Sequence, residues 1–100
     1  FRTLRQFAGR DVLQLKLMLH ALGYFRPDSP ELDLDDPGAE AYGPEAMDAV
    51  DRFRADQGWQ LGVRGYVDGR TVERLWRRLA ETGKDHDMRR RILEIARVAR

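Results

Sequence analysis

Asp11-Val12-Leu13-Gln14-Leu15-Lys16-Leu17-Met18-Leu19-His20-Ala21-Leu22-Gly23-Tyr24 is the stretch from which the rest of the chain is best read. Val12, Leu15, Leu19 and Leu22 recur at spacings of three, four and three, which places them on one face of a helix. Gly23 tolerates the left-handed conformation that closes a helix, and Tyr24 and Phe25 just beyond can fold back onto the last turn. A helix over Asp11 to Leu22 with a glycine stop is therefore expected.

Two further segments repeat that grammar. Gly43-Pro44 opens a second helix, because the fixed φ of proline suits a first helical turn, and Ala46, Val50 and Phe53 continue it, with Met47 and Ala49 widening the face. This helix should end near Gln57, with Gly58 as its stop. Asp68 is placed to cap a third helix through its carboxylate, with Val72, Leu75, Trp76 and Leu79 inward and Gly83 at the end. Met88, Ile92, Ile95 and Ala99 form a fourth stripe, with Asp85 or Asp87 near its positive N-terminal end.

The connections read differently. Arg26 to Ala41 holds three prolines, one glycine and six carboxylates, with no cation after Arg26, and is a loop. Trp59 to Val63 and Gly65 to Val67 are short β-prone runs broken by glycines, so an irregular connection with at most a minimal hairpin is expected, and no sheet.

Composition agrees with one folded unit. One hundred residues, 42% of them hydrophobic and 35% charged at a net charge of +1, fit a single globular domain and are too apolar for wholesale disorder. The charge is uneven. Residues 1–83 carry 12 basic and 14 acidic side chains, whereas residues 84–100 carry 6 and 3. Neither part has the dense positive field of a dedicated nucleic-acid binder, so Arg89, Arg90, Arg91, Arg97 and Arg100 make nucleic acid an unlikely partner. Cysteine is absent, which removes disulfides and thiolate metal sites and leaves compartment open, the cytoplasm included. No run approaches the roughly 20 apolar residues of a membrane span. The chain starts at Phe1 without an initiator Met or a signal peptide, as an excised domain would.

Taken together, Gly9-x-Asp11-Val12-x-x-Leu15-x-x-x-Leu19-x-x-Leu22-Gly23-Tyr24, Tyr42-Gly43-x-Glu45-x-x-x-Ala49-Val50-x-x-Phe53-x-x-x-x-Gly58 and Gly65-x-Val67-x-x-x-Thr71-x-x-x-Leu75 resemble the peptidoglycan-binding domain family. That family is the three-helix repeat carried as an accessory module by bacterial and phage cell-wall hydrolases. The resemblance covers about residues 9 to 79 in the family's order and spacing. It implies an all-α fold, a compact three-helix peptidoglycan-binding-like bundle over residues 1–83, with residues 84–100 as an additional basic, amphipathic C-terminal helix. It also implies a non-catalytic module that attaches a larger protein to peptidoglycan, through glycan or stem peptide, in the periplasm or cell envelope. Several polar positions depart from the family. Lys16 and Arg54 stand where it usually has Gln, Arg64 where it has Asp, and Asp68-Gly69 where it has Gly-Pro; the loop from Asp28 to Glu40 is long.

A glycan-peptide ligand calls for rings that stack on sugars and for short polar groups beside irregular loops. Tyr42, Gln57, Trp59 and Tyr66 supply these types near the loop ends and form the candidate ligand-binding set. The competing reading has Trp59 and Tyr66 capping the small core as half-exposed amphipathic rings. A second function stays open beside peptidoglycan: a repurposed protein-protein interaction domain in a larger bacterial or phage assembly, using the basic C-terminal helix. An exposed stripe of Met88, Ile92 and Ile95 would favour it.

Catalytic and metal residues are not found. A hydrolytic zinc site needs three ligands, and the only histidines are His20, on a helix surface, and His86, in a linker. Ser29, the one serine, lacks a nucleophile elbow and a neighbouring base. Carboxylates abound without an apolar pocket to raise one pKa. Asp33-x-Asp35-Asp36-x-Gly38 echoes a calcium loop, but Pro37 takes the fifth position and Pro44 the twelfth, so a solvated loop is expected. No cofactor is implied, and Gly62-x-x-Gly65 lacks the lysine of a phosphate loop.

Overall fold

The computed structural model describes residues 10–26, 28, 29, 32, 42–60 and 62–98, with side chains described from 12 to 94 within those ranges. Four helices follow in order: α1 (Arg10–Ala21), α2 (Pro44–Asp56), α3 (Gly69–Glu81) and α4 (Asp85–Val98). No strand occurs among the described residues, so the fold is all-α. The Cα radius of gyration of 12.8 Å is close to the roughly 13 Å expected of a compact chain this long.

α1 is the hub, packed against α2, α3 and α4, and α3 also packs against α4. This corrects the one-faced reading of α1. Besides Val12, Leu15 and Leu19, the side chains of Leu13, Leu17 and Met18 are buried, and so is Lys16. A helix with neighbours on several sides needs apolar residues around most of its circumference, and Leu13 and Leu17 supply them. Lys16 is fully enclosed yet has a polar partner, and no buried side-chain nitrogen or oxygen among the described residues is unsatisfied. The remaining core comes from Phe25, from Ala46, Ala49, Val50 and Phe53 of α2, from Val67, from Leu75 and Leu79 of α3, and from Met88 of α4.

The helix ends follow a single design. At α1, Gly23 N–H donates to His20 O at 3.0 Å and Tyr24 N–H to Leu19 O at 2.9 Å; at α3, Gly83 and Lys84 repeat the pair onto Ala80 and Leu79. Each is a Schellman closure, which uses carbonyls a helix end leaves without partners. Lys84 Nζ adds a bond to Ala21 O at 2.9 Å, tying the α3–α4 turn to the end of α1.

α4 packs through Met88, which is buried, and Ile92, which is half-buried against the core. Its first turn contains His86 as well as Asp85 and Asp87, so His86 is helical and exposed, not in a linker. The side chains of Ile95 and Arg97, all of Ala99 and Arg100, and the acidic run 33–38 lie outside the described residues.

Candidate functional site

The region between α2 and α3 is built by two caps. α2 closes with Gly58 at φ +77°, the left-handed geometry that makes glycine the fitting residue there. Gly58 N–H donates to Ala55 O at 2.9 Å and Trp59 N–H to Arg54 O at 3.3 Å. In such a closure the residue after the glycine folds back onto the last helical turn, usually in an apolar contact. Here that contact joins Trp59 to Arg54, with the guanidinium carbon 5.4 Å from the indole centroid. Nine residues after Trp59, α3 opens on Asp68, whose carboxylate accepts from Thr71 N at 2.9 Å and Thr71 Oγ1 at 2.8 Å.

Arg54 spans the two caps. Its side chain is buried, donates from Nη1 to Thr71 Oγ1 at 2.8 Å, and lies 3.7 Å from Asp68. The same guanidinium carbon also lies 5.5 Å from the Tyr66 ring centroid. Burial alone would raise the Asp68 pKa, but the Thr71 hydroxyl and N–H, with the charges of Arg54 and Arg70, outweigh it and hold the carboxyl below the usual aspartate range.

α3 then brings two more cations to the same indole. Arg70 and Arg74 are four residues apart and share one helical face. Their guanidinium carbons lie 3.9 Å and 5.3 Å from the Trp59 centroid. Trp59 is thus held in a collar of three arginines, each within cation–π range.

The sequence-expected set divides accordingly. Trp59 and Tyr66 meet through Arg54, and Gln57 joins them by accepting from Arg74 Nη1 at 3.1 Å while its Nε2 donates to Phe53 O at 3.2 Å. Both ends of the Gln57 amide are therefore in use, so it braces the collar. Tyr42 faces elsewhere: its hydroxyl donates to Gly65 O at 2.6 Å and its ring packs on the core. Trp76 also packs on the core, whereas Trp59 and Tyr66 are not among the rings that do. The core-capping alternative therefore describes Tyr42 and Trp76 better than Trp59 and Tyr66.

The 62–67 connection is an irregular turn without a hairpin. Gly65 N–H donates to Asp51 Oδ1 at 2.8 Å, Arg64 pairs with Asp48 at 2.8 Å, and Tyr66 N–H donates to Val63 O. A Cβ on Gly65 would lie 2.9 Å from Met47 Cβ, so the turn seats directly on α2. Side-chain and packing contacts, not strand pairing, hold it.

Arg70 and Arg74 escape attention in the sequence because a charged helix face ordinarily means solvent. Their signal was their four-residue spacing immediately after Asp68, with Trp59 one position past the α2 glycine stop.

Away from the Trp59 collar, a concavity of about 230 Å3 is lined by Tyr24, Phe25, Arg26, Glu45, Asp48 and Arg52. Its charges are largely committed. Arg26 pairs with Glu45 at 2.7 Å, Ser29 Oγ donates to Glu45 Oε2, and Arg52 donates to Tyr24 O at 2.7 Å. The Ser29 hydroxyl and Arg26 hold the Glu45 pKa down. Ser29 is buried against Glu45, an arrangement of an anchored loop residue. No cluster of three potential metal-binding side chains occurs among the described residues, and none of the described helices is long and apolar enough to cross a membrane.

No protein-family model matches the chain, and neither a curated protein nor a solved structure matches it.

Proposed function

We propose that this chain is a non-catalytic module that holds bacterial cell-wall peptidoglycan through the Trp59 face between α2 and α3. The observation that carries the reading is the gathering of Trp59, Tyr66 and Gln57 around Arg54, on the side of the molecule where the resembling family's second and third sequence blocks meet. Three elements converge there on rings that are half-buried and not consumed by the core. Binding by such a small, open surface is weak, and its use is to raise the effective concentration of an attached domain at the wall. That role places the parent protein in the periplasm or cell envelope.

The alternative, a protein partner on α4, loses support because Met88 and Ile92 are turned into the bundle. What α4 leaves outside is Leu93, 62% exposed, beside Arg89, Arg90 and Arg91. Arg89 lies over the Trp76 ring at 4.6 Å and Arg90 pairs with Asp87 at 2.7 Å, as on an ordinary solvated helix face.

Co-sedimentation of the purified chain with insoluble peptidoglycan tests the proposal. The wild type is expected in the pellet and Trp59→Ala in the supernatant, with Leu93→Ala unaffected. Absence of wild-type co-sedimentation at high protein concentration would sink it.

A further inference from the structure

We infer that the Trp59 collar selects an anionic group, and that the part of peptidoglycan it holds is a stem-peptide carboxylate and not the sugar chain. The inference rests on the peptidoglycan reading for the source of the ligand, and on the donor balance of the site for its chemistry.

Four acceptors beside Trp59 are engaged inside the protein: Gln57 Oε1 by Arg74, Phe53 O by Gln57, Arg54 O by Trp59 N–H, and Asp68 Oδ1 by Thr71. The donors are not. Among the described residues the Arg70 guanidinium makes no hydrogen bond or ion pair, and the Trp59 indole N–H and Tyr66 hydroxyl have no partner. Arg74 uses one N–H on Gln57 and keeps the rest of its fork. Three guanidiniums gather at the Trp59 ring, and of these only Arg54 has a carboxylate partner, Asp68 at 3.7 Å, which leaves the charges of Arg70 and Arg74 without an ion pair among the described residues.

A sugar hydroxyl both donates and accepts, and it carries no charge to meet those two cations. A carboxylate accepts only, and a guanidinium fork matches its two oxygens. Stacking favours the same choice. A sugar needs an open ring face, but the Trp59 face is covered by Arg70 at 3.9 Å. Stacking on the indole orients the guanidinium, lowering the entropy cost of gripping an anion. Arg70 is exposed and Arg74 half-buried, so the two forks are reachable from solvent.

The test uses two variants and four ligands. Arg70→Gln/Arg74→Gln removes the free forks, and Arg90→Gln on α4 is the control for loss of an exposed arginine away from the collar. The ligands are insoluble peptidoglycan, the same material with its carboxyls converted to amides, and a soluble stem peptide with inorganic phosphate as comparison. The wild type and Arg90→Gln should bind native wall and soluble peptide, with the affinity falling as salt rises. Amidation of the wall, or the double substitution, should weaken binding at least tenfold. Equal binding of native and amidated wall, or full binding by the double variant, would overturn the carboxylate assignment while leaving wall binding standing. Tighter binding of inorganic phosphate than of the peptide would overturn it as well. Soluble-peptide binding that depends on Arg70 and Arg74 without any wall binding would support the collar's chemistry and contradict the wall-module reading.

Discussion

Arg54 donates to Thr71 Oγ1 at 2.8 Å from a side chain that is only 10% exposed, and this bond joins the last turn of α2 to the first turn of α3. Each helix end would be ordinary alone. Joined, they hold one guanidinium within 5.5 Å of both the Trp59 and the Tyr66 ring centroids. Replacing Arg54 with Ala should destabilise the chain by about 1 to 3 kcal/mol, the range for removing one partner of a buried polar contact. In a double-mutant cycle with Thr71→Val, followed by denaturant unfolding, coupling of about 0.5 to 3 kcal/mol is expected. Additive effects would mean that the bond does not connect the two helices energetically.

Asp68 carries the second cap. Its Ala variant should lose about 0.5 to 2 kcal/mol, as N-cap deletions do. Because its folded pKa is depressed, its contribution is present above the ordinary aspartate pKa of about 3.9 and fades as pH falls through the lower folded value. Asp68→Asn should therefore flatten the acid limb of the stability profile. An unchanged acid limb would show that the carboxylate is not selectively stabilised in the fold.

Gly65 couples a turn to α2 by close approach. It combines φ +68° with a position where a Cβ would meet Met47 Cβ at 2.9 Å. Gly65→Ala should cost more than the roughly 1 to 2 kcal/mol of a left-handed alanine alone. Adding Met47→Gly should recover the steric share and leave the conformational share, read by thermal unfolding of the single and double variants.

Tyr24 offers a spectroscopic check of the α1–α2 packing. Its ring meets Phe53 edge to face at 5.5 Å, and its hydroxyl donates to Asp56 Oδ2 at 2.5 Å. Burial first, then the bond to Asp56 and its charge, push the pKa up to about 12. Since the folded value is raised, the contribution to stability is full below the unfolded pKa of about 10 and is lost as pH rises toward about 12. Ultraviolet titration should show a late-ionising component that disappears in Tyr24→Phe. A late limb unchanged by Tyr24→Phe, or none in the wild type, would contradict the packing.

The helices were legible because their signals are local. Leu15 and Leu19 mark a face, Gly23, Gly58 and Gly83 mark stops, and Asp68 marks a start, each through chemistry within a few residues. The burial of Leu13, Lys16 and Leu17 was not, because it depends on how many helices surround α1, and periodicity in a single segment cannot count neighbours. The site was half legible for a related reason. Trp59 and Tyr66 announce themselves as rings beside glycines, but the fates of Gln57 and Tyr42 are set by partners 17 and 23 residues away. Arg70 and Arg74 become notable only when α3 turns them onto an indole of the preceding loop.

The most direct test of the peptidoglycan reading follows backbone and indole N–H resonances while a soluble glycan-peptide fragment of the wall is added. The expected result is saturable shifts at the Trp59 indole, Tyr66, Arg70 and Arg74, with α4 silent around Leu93. Shifts confined to Arg89 to Leu93, or no shifts at any concentration of fragment, would contradict it.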